Sequence, residues 1–455
     1  LDIRHWTERA VDAVADWQAE WGGYRRHPSL DVDPDALAER LDELARRLTG
    51  NYPFFHPRYA GQMLKPPHPV AVVGYLAAML VNPNNHALDG GPPTAEMEQE
   101  AVAALARMFG FGTHLGHLTS GGTVANLEAL FVARETHPGR AVAFCAESHY
   151  THARMCHLLG VRTRVVPPDA RGRIDLDALA AVLAAGDVGT VVVTTGTTGL
   201  GAVDPVHEVL PLARAHGARV HVDAAYGGFY TLLAGAPDGL PPEPWRAIAD
   251  CDSVAVDPHK HGLQPYGCGA VLFRDPSVGR FYRHDSPYTY FTSGALHLGE
   301  ISLECSRPGA AAAALWLTQQ LFPLTARGLG AVLAANLRAA REWARLISES
   351  SELTLYQPPE LDIVGYFPTL DRPAMTTVDA ASAAVLNVGM TEDDPVFLST
   401  MDVGGADMRA RHPRVAADAD RARVLRSVLM KPESETHVEW LHERVSGLAA
   451  RASGR

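Results

Sequence analysis

Lysine is scarce in this chain. Of 40 basic residues among 455, only Lys65, Lys260 and Lys431 are lysines, so each carries weight. Lys260 stands where the apolar run Ser253–Val256 meets a turn, in Asp257-Pro258-His259-Lys260-His261-Gly262. A lysine partly desolvated, or set beside other cations, has a lowered pKa and becomes a usable amine nucleophile. A second run, His221-Val222-Asp223-Ala224-Ala225-Tyr226-Gly227-Gly228, ends an apolar strand on an aspartate. An aspartate there is costly unless it meets a cation or strong donors. The small residues after it leave room for something flat against Ala225. A third run, Thr119-Ser120-Gly121-Gly122-Thr123-Val124-Ala125-Asn126, opens a helix. Its small residues let backbone N–H groups approach an anion, and the helix dipole favours one. No lysine follows the glycines, so this is not the nucleotide-binding loop of that type.

A phosphate cradle, a strand-end aspartate and a strand-end lysine fit one cofactor, pyridoxal phosphate. The lysine would form a Schiff base with its aldehyde. The aspartate would keep the ring nitrogen protonated, and the helix start would hold the phosphate. Two competing patterns are weaker. His149, His152, Cys156 and His157 have spacings that suggest a metal, but no metal site is expected. Gly196–Gly201 lacks the glycine order and the following acid of a dinucleotide loop.

The runs SGGTVAN, HVDAAYGG and DPHK, in this order and spacing, resemble the fold-type I enzymes of the aspartate aminotransferase superfamily. Within them the chain is similar to the group II pyridoxal-phosphate-dependent amino-acid decarboxylases. Ser306-Arg307-Pro308-Gly309 and Val424–Glu433 extend the likeness to roughly residues 50–450. The short form of DPHKHGLQPYGCGAVLFRD is similar to prokaryotic tyrosine and aspartate decarboxylases. The resemblance implies that Lys260 carries the Schiff base and Asp223 partners the ring nitrogen. It implies that His149 stacks over the ring and Ala225 packs beneath it. Ser120, Gly121, Gly122 and Thr123 would hold the phosphate. His259 would lie near the phosphate or the substrate carboxylate, and Asp257 would be a further cofactor-binding residue. Thr195 and Thr197 would line the cofactor on the sheet side. His56, Asn85, Thr94 and Phe291 become candidates for the substrate pocket.

The activity so implied is loss of CO2 from an L-amino acid or amino-acid conjugate, giving an amine. Family members place a tyrosine on a loop after the lysine to return the proton. Tyr288 and Tyr290 are both candidates here. Members with phenylalanine at that position tend to run an oxidative route to an aldehyde, and Phe291 keeps that alternative open. So does β-elimination on a cysteine S-conjugate, as in lincosamide-like natural-product pathways. The resemblance also implies a homodimer with the active site at the interface.

The elements that must position these residues follow from periodicity. Short apolar runs at Ala141–Phe144, Thr163–Val166, Thr190–Thr194, Val220–Val222, Ser253–Val256 and Ala270–Phe273 read as strands buried on both faces. Helical stretches at 175–185 and 205–216 lie between them, the rhythm of a mostly parallel sheet flanked by helices. Helices are also predicted over 4–20, 34–48, 68–81, 94–109 and 308–350. Asp33-Pro34 is the expected cap and first residue of the second. Asn51–Lys65 reads as an extended surface segment. The tail shows strands at Leu361–Phe367 and Arg423–Met430 and a helix at 435–450, with 371–420 of uncertain order. The fold class is therefore α/β. Residues 1–66 form an N-terminal helical and dimerisation segment, 67–325 a large α/β domain, and 326–455 a small α+β domain.

Composition bounds the remainder. The net charge of −12 argues against sequence-independent nucleic-acid binding. No apolar run reaches the roughly 20 residues of a membrane helix. The five cysteines lack regular spacing, and no basic-then-apolar leader opens the chain, so a reducing, cytoplasmic setting is expected.

Overall fold

The computed structural model describes residues 1–283 and 298–453. Seven strands form the large sheet: β1 (Leu115–Thr119), β2 (Ala141–Cys145), β3 (Thr163–Val166), β4 (Val188–Thr194), β5 (Arg219–Asp223), β6 (Ser253–Val256) and β7 (Gly269–Phe273). Their spatial order is β1-β7-β6-β5-β4-β2-β3. β3, β2, β4, β5 and β6 pair in parallel, whereas β7 runs against both β6 and β1. β2, β4 and β6 are buried along their whole length, whereas the edge strand β3 exposes Arg164 and Val165. Val191, Val193, Val220, Val222, Val254 and Val256 lie in one large core cluster.

The carboxyl ends of β1, β4, β5 and β6 open on one side of the sheet. Thr194 stands opposite Asp223, and Asp223 opposite Ala255. In open α/β sheets this is the side where ligands bind. Helix Gly122–Thr136 follows β1 there, and helix Thr151–Leu158 follows β2.

The predicted strands are present, with differences that have physical causes. β1 carries no continuous apolar run. Its His117 is fully buried beside Glu128, with Nε2 3.0 Å from the carboxylate, so a polar pair sits where the pattern expects an apolar one. The helix predicted over 308–350 is two, Gly309–Leu321 and Leu329–Glu349, separated at Pro323. Residues 371–420, whose order the sequence leaves open, hold helix Met375–Thr391, a strand and helix Gly405–Arg411.

A second, antiparallel sheet takes the order β10-β11-β9-β8. Its strands are β8 (Leu353–Gln357), β9 (Ile363–Pro368), β10 (Ser399–Gly404) and β11 (Arg421–Val428). The segment after the second helix is stitched to it. Ala60 N–H donates to Phe397 O at 2.9 Å, and Val428 N–H donates to Ala60 O at 2.9 Å. Ala60 is buried in the same cluster as Trp343, Tyr366 and Leu425. Instead of the extended surface segment expected, the chain here runs through turns and bends and is built into this sheet.

The first two helices, Ile3–Glu20 and Pro34–Leu48, bury none of their residues. Asp33 caps the second, Oδ1 accepting from Asp35 N–H at 3.2 Å. Leu37, Leu41, Leu44 and Leu48 form an exposed stripe on it.

Candidate functional site

The glycine-rich loop joins β1 to a helix whose first turn has no side-chain cap. Val124 and Ala125 N–H both return to Gly121 O at 3.0 Å, leaving the Gly122 and Thr123 N–H groups without an intrahelical partner. The loop is glycine for a reason. Gly121 has φ +155°, and a Cβ on Gly122 would stand 2.6 Å from Asp257 Oδ2. Ser120 N–H is already engaged, donating to Glu304 Oε2 at 2.9 Å.

Asp223 ends β5 and is buried. Its Oδ2 lies 2.8 Å from His152 Nε2, and its Oδ1 accepts from Ala225 N–H at 3.1 Å. Burial alone would raise its pKa, but the His152 hydrogen bond, the nearby Lys260 charge and the Ala225 N–H together hold it well below the usual carboxylate range. Below it, His221 bridges Ser253 Oγ and Asn126 Oδ1, each at 2.8 Å. Burial pushes His221 down to about 3, so it is neutral.

The turn after β6 brings Lys260 Nζ to 3.0 Å from Asp257 Oδ2. Burial lowers the lysine pKa, but Asp257 and then Asp223 outweigh it, and the net shift is upward. This corrects the expectation of a lowered pKa, which took flanking histidines as cations. His259 and His261 do flank the lysine in sequence, but two carboxylates face it in space. His259 Nδ1 and Asp257 Oδ1 are buried without hydrogen-bond partners among the described residues. His149 Nδ1 lies 2.7 Å from Thr151 Oγ1, and burial lowers its pKa.

These groups enclose a cavity of about 330 Å³. Ser120, Gly121, Gly122, Thr123, His149, Asp223, Ala225, Asp257, His259 and Lys260 all line it. Thr195 and Thr197 do not. Thr194, Gly196 and Thr198 line it instead, and Thr197 Oγ1 turns away to accept from Ala202 N–H at 3.0 Å. The alternation of side chains along an extended segment puts neighbours on opposite faces. The residues fit a flat, phosphorylated, basic ring: open N–H donors at a helix start, a charged aspartate, an amine, and unfilled buried polar atoms between them.

The pocket candidates lie elsewhere. Asn85 and Thr94 are buried against each other, Thr94 Oγ1 donating to Asn85 Oδ1 at 2.7 Å, and Asn85 Nδ2 donates to Glu98 Oε2 at 2.6 Å. His56 Nδ1 accepts from Arg58 N–H at 3.1 Å, and its ring lies 5.6 Å from that of His437. None of the three lines the cavity. Tyr288, Tyr290 and Phe291 fall outside the described residues.

Two contributors were not expected. His152 follows His149 by three residues, His149 standing just before helix Thr151–Leu158 and His152 in its first turn. That spacing was the available signal, and it was read against a metal. No group of three or more potential metal ligands occurs among the described residues. Tyr226 also lines the cavity, its hydroxyl donating to Asp362 Oδ1 at 2.5 Å, and His261 Nε2 lies 2.8 Å from Asp362 Oδ2.

The profile of the pyridoxal-dependent decarboxylase conserved domain matches residues 54–367. A probable L-aspartate decarboxylase of Halobacterium salinarum is 35% identical over 234 residues. That match covers 51% of this chain and 63% of that protein, so the chain spans less than two thirds of that relative's length. An L-tyrosine decarboxylase of Enterococcus faecium is 27% identical, covering 76% of this chain and 72% of the other. A crystal structure of Oryza sativa TDC with PLP and tryptamine superposes with TM-score 0.80 at 20% identity, covering 99% of this chain and 98% of that one. The fold, the cavity and the matched domain agree: the chain belongs to the pyridoxal-dependent decarboxylase family.

Proposed function

We propose that the chain decarboxylates an L-amino acid with pyridoxal phosphate. The observation that carries this reading is the convergence of Lys260, Asp223, His149 and the open helix start on one cavity. When bound, the cofactor supplies the ring into which the electrons of the breaking Cα–carboxylate bond flow. Lys260 would present its amine to the cofactor's aldehyde. Asp223, kept charged by His152, stabilises a protonated ring nitrogen, a preorganised electrostatic effect. The Gly122 and Thr123 N–H groups bind the phosphate with the helix dipole. His149 covers the ring and limits the directions in which the substrate presents its carboxylate. The Cα–carboxylate bond breaks, CO2 leaves, and one proton takes its place on Cα. Tyr288 and Tyr290 are the proposed sources of that proton.

The site works in a homodimer on this reading. An exposed stripe of Leu37, Leu41, Leu44 and Leu48, with Trp21 exposed at 79%, is the apolar face a second copy would cover. No helix among the described residues is long and apolar enough to cross a membrane.

The test is a product assay on the cofactor-loaded protein over a panel of L-amino acids. CO2 with equimolar amine supports the reading. Aldehyde with peroxide, or pyruvate with a thiol and no CO2, overturns it. Lys260→Ala should lose both turnover and the visible absorbance of the bound cofactor, and an unchanged rate sinks the mechanism.

A further inference from the structure

Two turns carry much of the cavity wall. One follows β5 and holds Ala225 and Tyr226, and the other follows β6 and holds Asp257, His259 and Lys260. They touch where Asp257 N–H donates to Ala225 O at 3.3 Å. A segment of the small sheet reaches both from behind. Asp362, the residue before β9, is fully buried, and its two oxygens go to different turns. Oδ1 accepts from the Tyr226 hydroxyl at 2.5 Å, and Oδ2 lies 2.8 Å from His261 Nε2. His261 Nδ1 lies 2.9 Å from Tyr226 O, which closes the ring of bonds.

The acceptors fix how this ring is wired. A carbonyl oxygen only accepts, so Nδ1 donates to Tyr226 O. Burial alone would raise the Asp362 pKa, but His261 and then the Tyr226 hydroxyl bring it below the ordinary carboxylate value. An ionised carboxylate only accepts, so Nε2 donates as well. Hydrogen bonds to a buried carboxylate are of the strong, charge-assisted kind. The fit around them is close. The His261 ring meets Tyr226 and Tyr230 edgewise, with centroids 4.5 and 5.2 Å apart. A Cβ on Gly196 would stand 3.1 Å from Leu361 Cδ1, and one on Gly227 3.2 Å from it, so glycine at both lets the segment lie against the cavity's edge. Leu429 N–H donates to Asp362 O at 2.8 Å, which ties the same residue to the chain leaving β11. Neither Asp362 nor His261 lines the cavity.

We propose that Asp362 is a positioning residue: through Tyr226 and His261 it fixes, from the small sheet, the two turns that set Ala225 beneath the cofactor ring and Lys260 at its aldehyde. Tyr226 follows Ala225 and His261 follows Lys260 by one residue, so a shift of either side chain moves a cofactor contact directly. A misplacement of about 1 Å at the reacting atoms costs roughly a hundredfold in rate. The effect on turnover rests on the reading that the chain is an amino-acid decarboxylase; the effect on the bound cofactor does not.

Two variants of the cofactor-loaded protein test it. Asp362→Asn keeps the shape and can keep both bonds, accepting from Tyr226 and donating to a His261 Nε2 freed of its proton. Asp362→Ala deletes both. The readouts are the visible circular dichroism of the lysine-bound cofactor, which reports how firmly the ring is oriented, and kcat and KM per loaded site. Asp362→Ala should weaken the dichroism and lower kcat roughly tenfold to a hundredfold, with KM changed much less. Asp362→Asn should recover most of both. His261→Phe should repeat the alanine effect, and adding it to Asp362→Ala should cost little more, because the two changes break one unit. Wild-type dichroism and kcat in Asp362→Ala, with only a lower unfolding midpoint, overturn the positioning role. Where that variant does not fold, the same result in His261→Phe overturns it. So do equal losses in Asp362→Asn and Asp362→Ala. If no amino acid is decarboxylated, the function reading fails, and the dichroism alone decides the role of Asp362.

Discussion

His152 Nε2 lies 2.8 Å from Asp223 Oδ2 in a buried pair, of which only the aspartate reaches the cavity. The histidine does not touch the cavity. It acts through the aspartate, keeping a carboxylate charged where burial favours the neutral acid. Asp223→Asn should therefore lower kcat by roughly 10²–10³, the cost of losing one preorganised electrostatic group. His152→Phe should cause a smaller drop, and His152→Gln, which keeps a donor, should restore part of it. The absorbance of the bound cofactor against pH separates this positioning role from simple loss of packing. Only a change at Asp223 moves the protonation of the cofactor ring.

Gly122→Ala should cut cofactor affinity rather than fold stability. Its Cβ would meet Asp257 Oδ2 at 2.6 Å and displace the carboxylate that holds Lys260. Equilibrium dialysis of the cofactor should show weaker binding, with an unfolding midpoint of the cofactor-free protein near that of the wild type. A lost fold with normal cofactor affinity in the surviving fraction would contradict this.

Glu98 holds the region under the glycine loop together. It accepts from Arg307 Nη1 at 2.8 Å, Leu118 N–H at 2.9 Å and Asn85 Nδ2 at 2.6 Å. Both charged side chains are nearly inaccessible, at 2% and 6% exposure. Glu98→Ala leaves the guanidinium buried without its counter-ion and should destabilise the protein by about 3–5 kcal/mol. Urea denaturation of the cofactor-free protein measures this directly.

The carboxyl end of the large sheet was legible because buried parallel strands advertise themselves as apolar runs ending in polar residues. Asp223 and Lys260 stand out at such ends, and both line one cavity. β1 was missed because its buried His117 packs against Glu128 of the following helix, a pairing between elements that no local pattern shows. Edge strands β8 and β10 carry partly exposed polar residues and lack a clear period. Thr195 and Thr197 were placed one residue out of phase, since which face of the strand exit turns inward depends on the bonds to Ala202. The histidine spacing in His149–His157 was visible, but its meaning depended on Asp223, 71 residues away from His152.

The stitch between Tyr59–Gly61 and the small sheet also constrains how the chain reaches its native state. Lys431 and Tyr59 are 372 residues apart, and Val428 pairs with Ala60. Closing so long a loop is entropically unfavourable until the contacts form, which slows folding. During synthesis the early segment leaves the ribosome long before its partners exist. Its aromatic and proline-rich stretch waits with its backbone groups bonded to water, and the last strand to emerge locks it in place. Proteins truncated before β11 should therefore keep residues 51–66 open to proteases, even where the large sheet has formed.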